Sequence, residues 1–163
     1  SSVTPFVRGA LAAARARGAA TALVTCAPRP GLRRLADVVI AIATGPEVLT
    51  GSTRLKAGSA TKAVLNAITT AAMVRLGKAY ENLMVDLKQG SAKLVDRARR
   101  IVAAAAGVTP AEAGRLLEAA DGVAKTAIVM GRLGVSADEA RARLARAKGH
   151  VRQALEKGAK RGR

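Results

Sequence analysis

Phe6, Val7, Ala10, Leu11 and Ala14 recur at helical spacing behind Pro5 and run out at Arg17-Gly18, which predicts a helix over residues 5–17. The pattern then changes to two short unbroken apolar runs, Thr21-Ala-Leu-Val-Thr25 and Val38-Val-Ile-Ala-Ile42, separated by Pro28, Pro30, Gly31 and a helical turn over residues 32–36. Apolar runs that do not alternate are the mark of strands covered on both faces, so they predict buried parallel strands of an α/β sheet. A loop rich in small, hydroxyl and charged residues follows Ile42 and leads into a long helix. Val64, Leu65, Ile68, Ala72 and Met73 share one face of that helix, which continues to about Leu76 and stops at Gly77. Residues 80–89 have no clear period and read as a connector.

From Ser91 the period is helical throughout: residues 91–106, 110–120, 123–133 and 137–147, with turns at Gly107, Gly122 and Gly134. Two of these helices carry strong start signals. Thr109 precedes Pro110 with Glu112 three residues on, and Ser136 precedes Glu139 by the same spacing. The expected organisation is an α/β part over residues 1–90, a small all-α subdomain over 91–156 and a basic tail over 157–163.

Composition sharpens this picture. Half of the 163 residues are hydrophobic, enough for a core, but Phe6 and Tyr80 are the only aromatics, so that core must be closely packed from small aliphatic side chains. The net charge of +17 raises nucleic acid and anionic surfaces as partners. Residues 1–90 carry twelve Lys/Arg against four acids and residues 91–163 sixteen against seven, so the excess is spread along the chain. With few aromatics to stack on bases, solvated Arg-rich helix faces are the better reading, and neither a nucleic-acid nor a membrane partner is expected. The lone Cys26 has no disulfide or metal partner, which suits a reducing cytoplasm. The chain has no apolar run long enough to span a bilayer, and it opens on Ser-Ser-Val-Thr-Pro without an initiator Met, so it reads as starting inside a longer protein.

The chemistry concentrates in residues 44–62. Thr50, Ser52 and Thr53 offer hydroxyls, Arg54 and Lys56 offer cations, and Gly45, Gly51 and Gly58 allow close backbone approach, all at a helix N-terminus that favours an anion. A phosphate or carboxylate site and an ordinary capped loop with two solvent-facing cations both fit these residues. Elsewhere the bland reading prevails. His150 stands without a second metal ligand, Cys26 reads as a small core residue, and Met73, Met84 and Met130 read as core filling.

The run Gly45-Pro-Glu-Val-Leu-Thr-Gly-Ser-Thr-Arg-Leu-Lys-Ala-Gly-Ser-Ala-Thr-Lys62 resembles the signature shared by N-acetylmuramic acid 6-phosphate etherases and the glucokinase regulatory protein. Ala72-Met-Val-Arg-Leu-Gly-Lys78, Asn82-Leu-Met-Val-Asp86 and Val123-Ala-Lys-Thr-Ala-Ile-Val-Met130 are similar to the etherase branch, and the resemblance covers residues 1–150, the later half of a family chain. It implies part of a sugar-isomerase (SIS) domain, a three-layer α/β sandwich with parallel strands that binds sugar 6-phosphates at their C-terminal ends. A ubiquitin-associated-like helical module follows it.

The implied reaction converts N-acetylmuramic acid 6-phosphate and water to N-acetylglucosamine 6-phosphate and D-lactate, by elimination across C2 and C3 followed by addition of water, without metal or other cofactor. The implied substrate-binding residues are Ser1, Ser2 and Thr4, in the place of a Ser-Gly-Arg-Thr phosphate turn from which Ser2 and Val3 depart, together with Glu47, Ser52, Thr53, Arg54 and Lys56. Glu47 is also the candidate proton carrier. The glutamates that serve the family as acid and base belong to earlier motifs that this sequence lacks. The resemblance therefore implies either an N-terminal SIS half supplied by a separate chain or a non-catalytic phosphosugar-binding protein like the regulatory protein, and it implies a homodimer partner besides.

Overall fold

A computed structural model describes residues 4–156, so Ser1, Ser2 and the basic tail from residue 157 lie outside the described residues. The chain is mixed α/β and divides into two compact units, with the division between Thr69 and Thr70.

The first unit opens with α1 (Pro5–Ala16), whose Pro5 occupies the first turn, where its missing N–H costs nothing. Strand β1 (Ala22–Thr25) follows, then a single 3-10 turn (Leu32–Arg34) and β2 (Val38–Ala41). β1 and β2 pair in parallel, with Leu23 opposite Val39 and Thr25 opposite Ala41. The parallel pairing matches the sequence reading, but the burial does not. Leu23 and Thr25 are buried, whereas Val38 is 55% exposed and no residue of β2 is fully covered. The core of this unit is small, built on Leu23, Leu32 and Ala36 with Val7, Leu11, Leu35 and Val39 against it. Val7 and Leu11 lie one turn apart on α1, while Phe6 points outward at 82% exposure.

Asp37 ties the start of both strands together. Its carboxylate accepts from the Thr21 N–H (2.7 Å), the Thr21 hydroxyl (2.8 Å) and the Arg15 guanidinium (3.0 Å). These donors, the Thr21 hydroxyl foremost, lower its pKa to about 2.

Helix α2 (Lys56–Arg75) crosses the division and ends where Gly77 takes φ 70°. None of its residues is buried: Leu65, Ile68 and Met73 of the predicted apolar face are 48%, 44% and 48% exposed.

The second unit includes the stretch expected to be a connector. Residues 79–84 instead form an antiparallel hairpin, β3 (Ala79–Tyr80) with β4 (Leu83–Met84). Lys78 Nζ holds Asp86 beyond it at 2.7 Å, and the largely covered Lys125 Nζ approaches the same carboxylate at 3.6 Å, so the Asp86 pKa is lowered, chiefly by the Lys78 hydrogen bond. Val85 then joins a core with α3 (Ala92–Ala106), α4 (Pro110–Ala119), α5 (Ala124–Leu133), α6 (Ala137–Arg146) and the short α7 (Val151–Leu155).

The two helix-start signals are realised as read: the Thr109 and Ser136 hydroxyls accept from the N–H groups of Glu112 (3.2 Å) and Glu139 (3.3 Å). Fully buried Val102, Ile128, Val129 and Val151 are packed around alanines, as the near absence of aromatics demands. Gly131 lets α5 approach α3 and α4, since a Cβ there would stand 2.9 Å from the Ala106 methyl and 3.0 Å from Leu116. Met130 fills core as expected, but Met84, on the hairpin, is 46% exposed.

Candidate functional site

Beyond the C-terminal ends of β1 and β2 the first unit opens into a cleft of about 430 Å³. Its lining comes from three places: Val24 to Ala27 at the end of β1, Thr44, Gly45, Glu47 and Thr53 in the loop after β2, and Ala57, Gly58 and Thr61 on the first turns of α2. Ligands of open α/β sheets gather at this end because loops diverge there and helix N-termini point inward.

Glu47 organises the loop. Its carboxylate accepts from the backbone N–H of Lys56 (2.9 Å) and of Ala57 (3.0 Å), closing the first turn of α2 over nine and ten residues of chain. These bonds, the one from Ala57 first, lower its pKa, so the side chain is ionised at neutral pH. Lys56 completes the latch by donating from Nζ to the Pro46 carbonyl at 2.9 Å. The anion that the sequence leads one to expect at this helix N-terminus is thus met by the protein's own carboxylate.

The floor of the cleft is polar without charge. Thr25, 2% exposed, accepts from the Ala27 N–H at 3.2 Å. Cys26 is half-buried at the cleft wall, outside the core, with Sγ 3.5 Å from both the Ala57 carbonyl and the Thr61 hydroxyl.

Of the residues read as substrate-binding in the sequence, the structure brings Glu47 and Thr53 to the cleft, where Gly45 and Gly58 also line it. Ser52 is held in the preceding turn, its N–H donating to the Leu49 carbonyl at 3.0 Å, and Arg54 is exposed. Lys56 is turned to Pro46, and Thr4 sits at the start of α1 with no side-chain cap bond. Ser1 and Ser2 lie outside the described residues. Sequence reasoning missed Thr25, Thr44 and Thr61. The available signal was positional, a Thr closing a strand and another one helical turn beyond Ala57. Among the described residues no cluster of His, Cys, Asp and Glu has the makings of a metal site, and no helix is long and apolar enough to cross a membrane.

Sequence comparison finds relatives for the chain as a whole. Over 155 residues, 95% of the chain, it is 56% identical to an N-acetylmuramic acid 6-phosphate etherase of Mycolicibacterium smegmatis, covering 52% of that protein. Over nearly its whole length, the chain is similar to N-acetylmuramic acid 6-phosphate etherases. An etherase of Rubrobacter xylanophilus is 55% identical over 95% of the chain and one of Yersinia pestis 51% identical over 93%, with 51% and 52% of their own lengths covered. The chain therefore spans about half the length of the etherases it matches. No family model matches it.

Proposed function

We propose that the chain carries half of an N-acetylmuramic acid 6-phosphate etherase, with residues 1–90 forming the C-terminal part of an SIS-type phosphosugar domain. The observation that carries this reading is the identity to the etherases across nearly the whole chain, together with the position of the residue 45–62 signature. That signature wraps the mouth of a cleft at the ends of parallel strands. In the reaction, a base removes the proton from C2 of the opened sugar, the C3–O bond breaks, and an acid protonates the departing lactyl oxygen. Water then adds at C3, and C2 regains a proton, giving N-acetylglucosamine 6-phosphate and D-lactate.

The titratable side chains that line the cleft are Glu47 and Cys26. Glu47 is committed to two backbone donors, which favours a positioning role for it over proton transfer. The acid and base then come from a segment outside this chain, in an N-terminal SIS half. The same observation favours, as a second reading, a phosphosugar-binding protein without turnover.

The experiment is D-lactate release from N-acetylmuramic acid 6-phosphate by this chain, by the remaining half of the Mycolicibacterium smegmatis relative, and by the two mixed. Release by the mixture alone is the expected outcome. Release by the chain on its own would place the acid and base within it, and binding without release in a mixture that forms a complex would favour the second reading.

A further inference from the structure

The excess of positive charge is even along the sequence but uneven in the folded chain. In the second unit Lys78, Arg100, Lys125, Arg141, Arg143 and Arg152 all stand in ion pairs. Residues 4–69 of the first unit carry nine Lys/Arg against two acids, and both acids are engaged. Asp37 is held by Thr21 and Arg15, and Glu47 by the N–H groups of Lys56 and Ala57 with the Lys56 charge beside it. Four of the nine cations converge. The Arg15 guanidinium donates to the Arg34 carbonyl (3.0 Å) and to Asp37 (3.0 Å), which brings the last turn of α1, the 3-10 turn and the start of β2 together. Arg17 closes α1, Arg33 and Arg34 end the 3-10 turn, and all four arginines are exposed. Ala22 and Val38 pair at the starts of β1 and β2, so this rim lies at the end of the strands opposite the cleft. Its four guanidiniums meet one carboxylate, Asp37, and Arg17, Arg33 and Arg34 form no ion pair among the described residues.

The chemistry of the rim selects its partner. Guanidinium groups match phosphate oxygens in pairs, and none of these four lines the cleft, so an anion whose charges come already spaced along a polymer suits them. The two aromatics lie elsewhere, Phe6 in the first turn of α1 and Tyr80 in the second unit, which leaves no ring at the rim to stack on unpaired bases. Val38 is the large apolar side chain exposed there among the described residues, too little to enter a lipid surface. We propose that this rim binds the phosphate backbone of a double-stranded nucleic acid irrespective of base sequence, with Arg17, Arg33 and Arg34 on the phosphates and Arg15 holding the 3-10 turn in place. The etherase reading neither supports this binding nor depends on it.

The test is fluorescence anisotropy of a labelled mixed-sequence DNA duplex titrated with the full 163-residue chain over a series of salt concentrations, with anionic phospholipid vesicles as a second probe. Saturable duplex binding that weakens linearly with salt on logarithmic axes is expected. Arg17→Gln/Arg33→Gln/Arg34→Gln should weaken it at least about tenfold at low salt and make the salt slope shallower by about 2 to 3. Lys93→Gln/Arg97→Gln/Arg115→Gln removes the same charge from exposed positions of the second unit outside its ion pairs, and should change the affinity less than about threefold. Equal effects in the two triple variants, or no duplex binding by the native chain, would overturn the proposal. Binding to the vesicles that the first triple variant abolishes, with the duplex unbound, would overturn it in favour of a membrane. Circular dichroism checks the fold of each variant, and Arg33→Gln alone, expected to lower the slope by about 1, decides the matter if the triple variant fails to fold.

Discussion

At the scale of single residues, two carboxylates hold the first unit together in the same way, by accepting from donors far along the chain. Asp37 joins Thr21 and Arg15, and Glu47 joins Lys56 and Ala57. The folded pKa of Asp37, about 2, lies below its ordinary 3.8, so ionised Asp37 favours the folded state. That contribution is complete above about pH 5 and is lost as pH falls through the ordinary value and then the folded one. Glu47 and Asp86, also lowered, act in the same direction. Urea unfolding midpoints measured between pH 5 and pH 2.5 should therefore fall steeply in the native chain. Asp37→Asn should lower the midpoint at pH 5 and flatten the fall; an unchanged slope would show that the Thr21 and Arg15 bonds do not bias folding. Neither carboxylate's partners are legible in the sequence, because sixteen and nine residues separate donor from acceptor and only the fold closes that distance.

At the scale of elements, legibility follows the reach of the signal. α4 and α6 announce their starts through a capping hydroxyl with Glu three residues on, and α3 and α5 announce their ends through Gly107 and Gly134 in the left-handed conformation. The hairpin over residues 79–84 gives no such notice. Its turn places Glu81 at φ 52°, a conformation usually marked by Gly or Asn, and each strand is two residues long, too short for a period to register. Strand β2 misled in another way, since an unbroken apolar run encodes a tendency to be covered and cannot supply the cover.

The alanine- and glycine-rich packing of the second unit was foreseeable from the scarcity of aromatics, though the site of closest approach was not. Gly131 occupies it, and Gly131→Ala should destabilise the second unit by about 1–3 kcal/mol through overpacking, despite the gain in helix propensity. Chemical denaturation followed by the helical circular dichroism signal checks this, and a neutral or stabilising result would mean that α3 and α4 yield easily.

At the scale of the whole molecule, the two units differ in how far they are internally complete. The second buries a continuous core from Val85 to Ala154, while the first relies on Leu23, Leu32 and Ala36 and leaves Phe6, Val48 and Leu49 at 82%, 85% and 68% exposure. Opening free energies track buried apolar contact. Backbone amides of α1 and β1 should consequently exchange with solvent before those of α3 and α5. Equal protection in the two units would show that the small core is supplemented by contacts outside it.

The likeness to the etherases was legible at this scale chiefly through residues 45–62, and the sequence comparison then found it along nearly the whole chain. Which of those residues face the cleft was decided by the Glu47 and Lys56 latch, which turns two of the expected substrate-binding residues into parts of the loop's own framework.

The central claim, that the cleft at the ends of β1 and β2 is the sugar-phosphate site, is tested most directly by blocking it without unfolding it. Gly58 lines the cleft from within α2, and a Cβ there meets the Thr53 carbonyl at an ordinary 3.4 Å, so Gly58→Leu adds bulk to the cleft while favouring the helix. Calorimetric titration with N-acetylglucosamine 6-phosphate should show saturable binding to the native chain and a loss of at least about tenfold in Gly58→Leu, some 1.4 kcal/mol, with circular dichroism unchanged. Undiminished binding in Gly58→Leu, or no binding by the native chain, would contradict the account.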